Sequence, residues 1–172
     1  MNCPVPPGCG LTSRLPYSMR REKDAMIAKF DFALNRPEED QAELLAAVEE
    51  FADALGLPPS VRYRLGLVID ELVSNCIAHG ARPGEDRGIR VGISDSGDDM
   101  TVEIVDSGPP FDPTAHASRK CLQPGDVKIG GMGLCLVRNL ATRMEYSRFD
   151  GFNRTRITIA KSIQENACTS GR

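Results

Sequence analysis

Three clusters of residues have types and spacings that chemistry could use. Glu71, Asn75 and His79 recur at i, i+4 and i+8. Each step of four along a helix falls about 40° past a full turn, so the three share one polar stripe on an otherwise apolar segment. A solvated helix face accounts for such a stripe, yet asparagine has little helix propensity and in mid-helix needs a reason. Its carbonyl oxygen suits a hard cation such as Mg²⁺, which takes oxygen ligands and keeps several waters. A glutamate one turn earlier can accept a proton from a hydroxyl nucleophile. The second cluster is Val105-Asp106-Ser107-Gly108-Pro109-Pro110-Phe111-Asp112-Pro113, where an apolar run ends in an aspartate and a glycine. These are ordinary turn residues. A carboxylate in that position can equally accept a hydrogen bond from the exocyclic amino group of adenine, with the glycine letting backbone approach the base. The third is Gly130-Gly131-Met132-Gly133-Leu134, which opens a helical pattern. Glycines ahead of a helix N-terminus expose N–H groups and the positive dipole end, which suits phosphate. No Gly-Lys-Ser/Thr follows, so this is not a Walker A loop, and no strand precedes it as in a Rossmann fingerprint.

The elements that must position these clusters follow from hydrophobic period. Ala25–Leu34 alternates as a strand does. Pro37 followed by Glu38-Glu39-Asp40 reads as a helix start, with proline in the first turn and acids on the positive dipole end. Leu44, Leu45, Val48, Phe51, Ala52 and Leu55 form its apolar stripe, and Gly56 stops it. A second helix starts near Ser60, turns Leu65, Val68, Ile69, Leu72, Val73, Cys76 and Ile77 to the core, and stops at Gly80. Residues 89–93 and 100–105 read as strands of a hairpin around Asp95-Ser96-Gly97-Asp98-Asp99. Residues 107–130 form a long loop, 132–144 a helix, and 144–149 and 155–159 a strand pair around Asp150-Gly151. The predicted fold class is α+β: a two-layer α/β sandwich with a mixed, mostly antiparallel sheet and helices on one face.

Composition narrows the function classes. At 172 residues the chain is about one domain. Acids outnumber bases 24 to 21, net −3, so no strong basic field points to nucleic acid. Hydrophobic residues are 41% and charged residues 26%, a globular balance. No apolar run approaches the roughly 18–20 residues of a membrane span. The N-terminal residues show neither a charged n-region nor an apolar h-region, so the expectation is a cytoplasmic protein without a signal peptide. The spacing of the six cysteines matches no zinc pattern, and Cys76 and Cys135 read as small buried thiols. Residues 1–24 read as a poorly ordered lead-in, 25–161 as the folded domain and 162–172 as a tail. Residues 80–133 hold ten of the 16 glycines and five of the 12 prolines. The clusters account for that richness as a hairpin, an Asp-Gly turn, a lid and a glycine-lined helix entry.

Taken in order, the three clusters form a pattern. A Glu-x-x-x-Asn helix (Asp70 to Gly80), an Asp-x-Gly after a strand (Asp106 to Pro113) and a Gly-x-Gly after a long loop (Gly130 to Leu134) resemble the GHKL ATPase superfamily and its Bergerat fold. Within it the chain resembles the bacterial anti-sigma-factor serine-protein kinases, and Asn153 to Lys161 looks like that family's closing strand. The resemblance spans about residues 25–161. It implies that Asn75 would hold Mg²⁺ and that Glu71 would serve as general base. It implies that Asp106 and Gly108 would bind adenine, with Thr155 hydrogen-bonded to Asp106. Gly130, Gly131 and Gly133 would shape the phosphate lid, and residues 112–129 would be its mobile part. His79 would touch phosphate or stand as a surface histidine at the helix end. The family often has an acidic residue after the last helix, where this chain has Ala141-Thr142-Arg143-Met144.

The implied function is an ATP-dependent protein serine/threonine kinase and anti-sigma factor. It would phosphorylate a serine of an antagonist (anti-anti-sigma) protein, sequester a sigma factor or similar regulator, and form a homodimer. The alternative is a non-catalytic ATP-binding module that switches its grip on a partner, since binding needs Asp106 and the glycines but no base. Neither reading calls for direct contact with nucleic acid or membrane. A sensor histidine kinase fits less well, because His79 and His116 both fall inside the ATP-binding core. A gyrase- or MutL-type enzyme would need a further transducer domain.

Overall fold

A computed structural model describes residues 16–22, 25–80, 88–116 and 132–162. Six strands form one sheet in the order β1-β2-β3-β4-β6-β5. They are β1 (Tyr17–Glu22), β2 (Ala25–Leu34), β3 (Ile89–Asp95), β4 (Asp99–Asp106), β5 (Arg143–Phe149) and β6 (Phe152–Ala160). Helices α1 (Pro37–Ala54), α2 (Pro59–His79) and α4 (Met132–Leu140) complete the layers, with one short turn, α3 (Pro113–His116), after β4.

The alternation in the strands builds the core. Inward residues such as Phe30 of β2, Val91 and Ile93 of β3, Val102 and Ile104 of β4, and Ile157 and Ile159 of β6 are buried. They pack with Leu44, Val48 and Phe51 of α1 and Leu65, Val68, Ile69 and Leu72 of α2. Residues of opposite parity carry charge to the open face, where Asp31 pairs with Arg90 and Glu103 with Arg156. Gly56 ends α1 at φ +63°, a left-handed value that glycine reaches without strain. The β5–β6 hairpin turns on Asp150 (φ 47°) and Gly151 (φ 85°), the two positive values of a type I′ turn.

The structure departs from the expected elements in four places. All five strand pairings among the described residues are antiparallel, so the sheet is not mixed. Part of the expected lead-in is a strand: β1 pairs with β2 from Tyr17↔Phe30 to Glu22↔Ala25. Mixed charge concealed it, because an edge strand needs only one buried face and tolerates charges. The last helix stops at Leu140 instead of running to 144. Thr142 donates both its N–H (2.8 Å) and its hydroxyl (3.0 Å) to the Thr158 carbonyl, which draws the chain into the sheet. The strand expected at 155–159 begins at Phe152, since a two-residue turn lets pairing start at once.

Candidate functional site

The inner face of the sheet turns polar at one end of two neighbouring strands. Along β4 the buried row runs Met100, Val102, Ile104 and then Asp106; along β6 it runs Ile159, Ile157, Thr155 and then Asn153. The register places Asp106 opposite Asn153 and Ile104 opposite Thr155. Asp106, Asn153 and Thr155 are 9%, 3% and 8% exposed, and they are the buried polar or charged residues among those described. All three line one pocket. Polar groups gathered at one point of an apolar layer must be satisfied there, by the protein or by a ligand.

Asp106 is held from two sides. Its Oδ1 accepts the Gly108 N–H at 2.9 Å and the Asn153 Nδ2 at 2.9 Å. Its Oδ2 faces the Cys76 thiol of α2 at 3.6 Å. Burial, and then the charge of Asp106, push the Cys76 thiol well above the usual thiol range, so it stays neutral and can act as a weak donor. Gly108 is tightly placed. A Cβ there would lie 2.8 Å from Asp106 Oδ1 and 3.0 Å from Gly80 Cα, so the Asp-x-Gly turn meets the end of α2 because residue 108 has no side chain. Beyond the turn, Asp112 Oδ1 accepts from the Thr114 N–H (2.8 Å) and hydroxyl (2.6 Å), so 112–116 form a capped turn at the start of the expected lid.

The opposite wall comes from α2. Asn75, Cys76 and His79 line the pocket together with Leu72. The Nδ2 of Asn75 is buried and has no hydrogen-bond partner. His79 is exposed at the helix end and lies 6.0 Å, centroid to centroid, from the Phe111 ring. Glu71 sits one turn back, toward α4. A Cβ on Gly133 would fall 2.0 Å from Glu71 Oε2, so the first turn of α4 rests directly on that carboxylate. Gln41 of α1 donates to Asp70 (2.8 Å) and Ser74 (2.9 Å), which ties the other side of this stretch of α2 to its neighbour. Phe111 and Leu134 close the remaining sides of the pocket.

Comparison with known proteins gives this arrangement a family. The model of the histidine kinase-like ATPase domain matches residues 34–161. The chain belongs to the histidine kinase-like ATPase family. Over 99 residues, 57% of the chain, it is 30% identical to the serine/threonine-protein kinase BtrW of Bordetella bronchiseptica and covers 70% of it. Its fold is similar to that of the SiaB–SiaC complex from Pseudomonas aeruginosa (TM-score 0.57, 17% identity, 76% of this chain and 88% of that one). It is also similar to the RsbU and RsbW domains of Rv1364c from Mycobacterium tuberculosis (TM-score 0.56, 17% identity, 77% of this chain). Of that longer chain it spans about a third, 32%.

ATPase domains of this family bind ATP, and the residues here fit that ligand. A buried carboxylate whose Oδ2 meets a thiol, a weak donor, suits an amino donor, and the partnerless Nδ2 of Asn75 offers a polar contact that the protein leaves unused. Among the described residues no group of three or more His, Cys, Asp or Glu could hold a metal ion. Asn75, whose side chain lines the pocket, is a residue whose amide oxygen could ligate a divalent cation. No helix of the described residues is long and apolar enough to cross a membrane.

Of the residues expected at the site, Asn75, His79, Asp106 and Thr155 share the pocket, Gly108 shapes the turn beside it, and Glu71 meets Gly133 behind it. Gly130 and Gly131 lie outside the described residues. The hydrogen bond to Asp106 expected of Thr155 comes from Asn153, because register puts Asn153 directly opposite and Thr155 two residues further in. Sequence reading also missed Cys76 as a pocket residue. Its helical position next to Asn75 was the available signal, but an apolar stripe reads as core until the neighbouring strand is placed.

Proposed function

We propose that this domain is a protein-serine kinase that transfers the phosphoryl group of ATP to a serine of an antagonist protein and sequesters a sigma factor or similar regulator. The observation that carries this reading is the placement of Glu71 and Asn75 on one face of α2, across from the buried Asp106, with the α4 entry at Gly133 against Glu71. The likeness to BtrW supports kinase chemistry, and the SiaB–SiaC structure, a complex, supports a protein partner.

In this reading Asp106 and Gly108 receive adenine, and Thr155 lines the same end. Asn75 ligates Mg²⁺ through its carbonyl oxygen, while His79 and the glycines at 130, 131 and 133 meet phosphate. Bound Mg²⁺ supplies electrostatic stabilisation of the charge on the phosphates. Glu71 takes the proton from the acceptor serine hydroxyl as its oxygen bonds to the γ-phosphorus and the bond to ADP breaks. Positioning and electrostatics provide most of the rate, because the transferred group needs little covalent help from the protein. With ATP as donor, the activity belongs in the cytoplasm. We further propose a homodimer.

The test is phosphoryl transfer from labelled ATP to the cognate antagonist. Wild type is expected to yield a phosphoserine, and Glu71→Ala to lower its rate by about 10²–10⁴-fold, the usual contribution of a positioned base, with ATP binding retained. An unchanged rate in Glu71→Ala refutes Glu71 as base. ATP binding by wild type without any transfer identifies a nucleotide-switched binding module instead.

A further inference from the structure

We propose that Asn153 is a positioning residue for base recognition: it reserves one oxygen of Asp106 for the protein and leaves the other to the ligand. This rests on the reading of Asp106 as the adenine acceptor. Every bonding direction of the Asn153 amide is used. Nδ2 donates to Asp106 Oδ1 at 2.9 Å and to the Pro109 carbonyl at 2.9 Å, with the Gly108 carbonyl at 3.4 Å. Oδ1 accepts from the Tyr146 hydroxyl at 2.8 Å and from Arg148 Nη1 at 2.6 Å.

These partners allow one orientation of the amide. Arg148 has only donors to offer, and Pro109 and Gly108 offer only carbonyl oxygens here. Turning the amide over would set its oxygen against a carboxylate and two carbonyls, and its amino group against a guanidinium. The outer strand β5, through Tyr146 and Arg148, therefore fixes which end of Asn153 faces Asp106. At 3% exposure the Asn153 amide depends on these protein partners.

The consequence falls on Asp106. With Oδ1 taken by Asn153 and the Gly108 N–H, its carboxylate plane is set, and Oδ2 keeps the thiol of Cys76 at 3.6 Å as its neighbour. A thiol is a weak donor, which an amino N–H can displace. Asparagine suits the position because it donates without charge: a lysine there would neutralise the acceptor, and an aspartate would repel it. Direct opposition in the β4–β6 ladder puts the two side chains within reach, whereas Thr155 is offset by two residues and short.

The experiment titrates ATP and purine riboside 5′-triphosphate, which lacks only the 6-amino group, against wild type, Asn153→Ala and the double variant Tyr146→Phe/Arg148→Gln. Wild type is expected to prefer ATP by at least about tenfold, the worth of a hydrogen bond to a charged group. Asn153→Ala is expected to cut the preference below about threefold by weakening ATP while the analogue binds as before. The double variant keeps Asn153 but frees its amide to turn, and it narrows the preference in the same direction. It carries the test if Asn153→Ala fails to fold. Equal loss of both ligands in the variants, or an undiminished preference, overturns the role of Asn153 and leaves the adenine reading intact. Absence of any preference in wild type instead overturns the reading of Asp106 as the amino-group acceptor, and the role of Asn153 with it.

Discussion

At the residue scale the site is a problem of satisfying buried polar atoms. Asp106 is the buried carboxylate, and its charge is tolerable because Gly108 and Asn153 both donate to it. Cys76 bears the cost on the other side. Its thiol is held neutral by burial and by the negative charge beside it, so its pKa in the fold exceeds the unfolded value. The linked stability is present in full below the unfolded thiol pKa of about 8.5 and is lost as pH rises past it, at about 1.4 kcal/mol per pH unit. Urea denaturation of wild type and Cys76→Ala from pH 7 to 10 should show curves that run parallel up to about pH 8.5, with wild type declining more steeply above it. Curves parallel throughout would mean that Cys76 ionises in the fold as freely as in the open chain.

At the element scale the decisive contact is α4 against α2. Val137 of α4 is buried, and the first turn of the helix reaches Glu71 only because residue 133 has no side chain. In Gly133→Ala the new methyl group would fall 2.0 Å from Glu71 Oε2, at the far end of a side chain that can swing away. The stability cost is therefore expected at the low end of overpacking, about 1 kcal/mol. The displaced carboxylate is the larger effect: phosphoryl transfer to the antagonist should fall at least about tenfold even at saturating ATP, which places the damage in the chemical step. Thermal melts beside single-turnover rates check both halves. A large loss of stability with the rate per folded molecule unchanged would show that Gly133 serves packing alone.

At the scale of the whole molecule, one layer of helices covers one face of a six-stranded sheet and leaves the other face charged. The candidate pocket lies at the end of the inner layer, between α2 and the β4–β6 pair, so a ligand there joins the two layers. ATP should therefore stabilise the fold as a whole. At a hundredfold excess over Kd the gain is about 2.7 kcal/mol, a rise of several degrees in Tm. Asp106→Asn, which replaces the acceptor by an amide able to turn its donor to the base, should abolish that rise at the same ATP concentration. An undiminished shift in the variant would place the base elsewhere.

Most of the layer architecture was legible in the chain, because burial imposes period two on strands and 3.6 on helices. The alternation of β2 and the apolar stripes of α1 and α2 are direct records of which side faces the core. Glu71, Asn75 and Asp106 stood out as candidates for a related reason: their spacing along one helix, or at one strand end, is local. Strand register is not local. Asp106 and Asn153 lie 47 residues apart, and nothing within either segment says that they pair. β1 stayed hidden because an edge strand is half solvated, and the end of α4 because the pull of Thr158 on Thr142 comes from another strand. By itself, then, the sequence determined most of the elements and the family resemblance and nominated residues for the chemistry, since these depend on composition and spacing along the chain. Only the tertiary structure decided which oxygen of Asp106 faces the Cys76 thiol and which neighbours hold the other, because those depend on atoms that meet only after the sheet has closed.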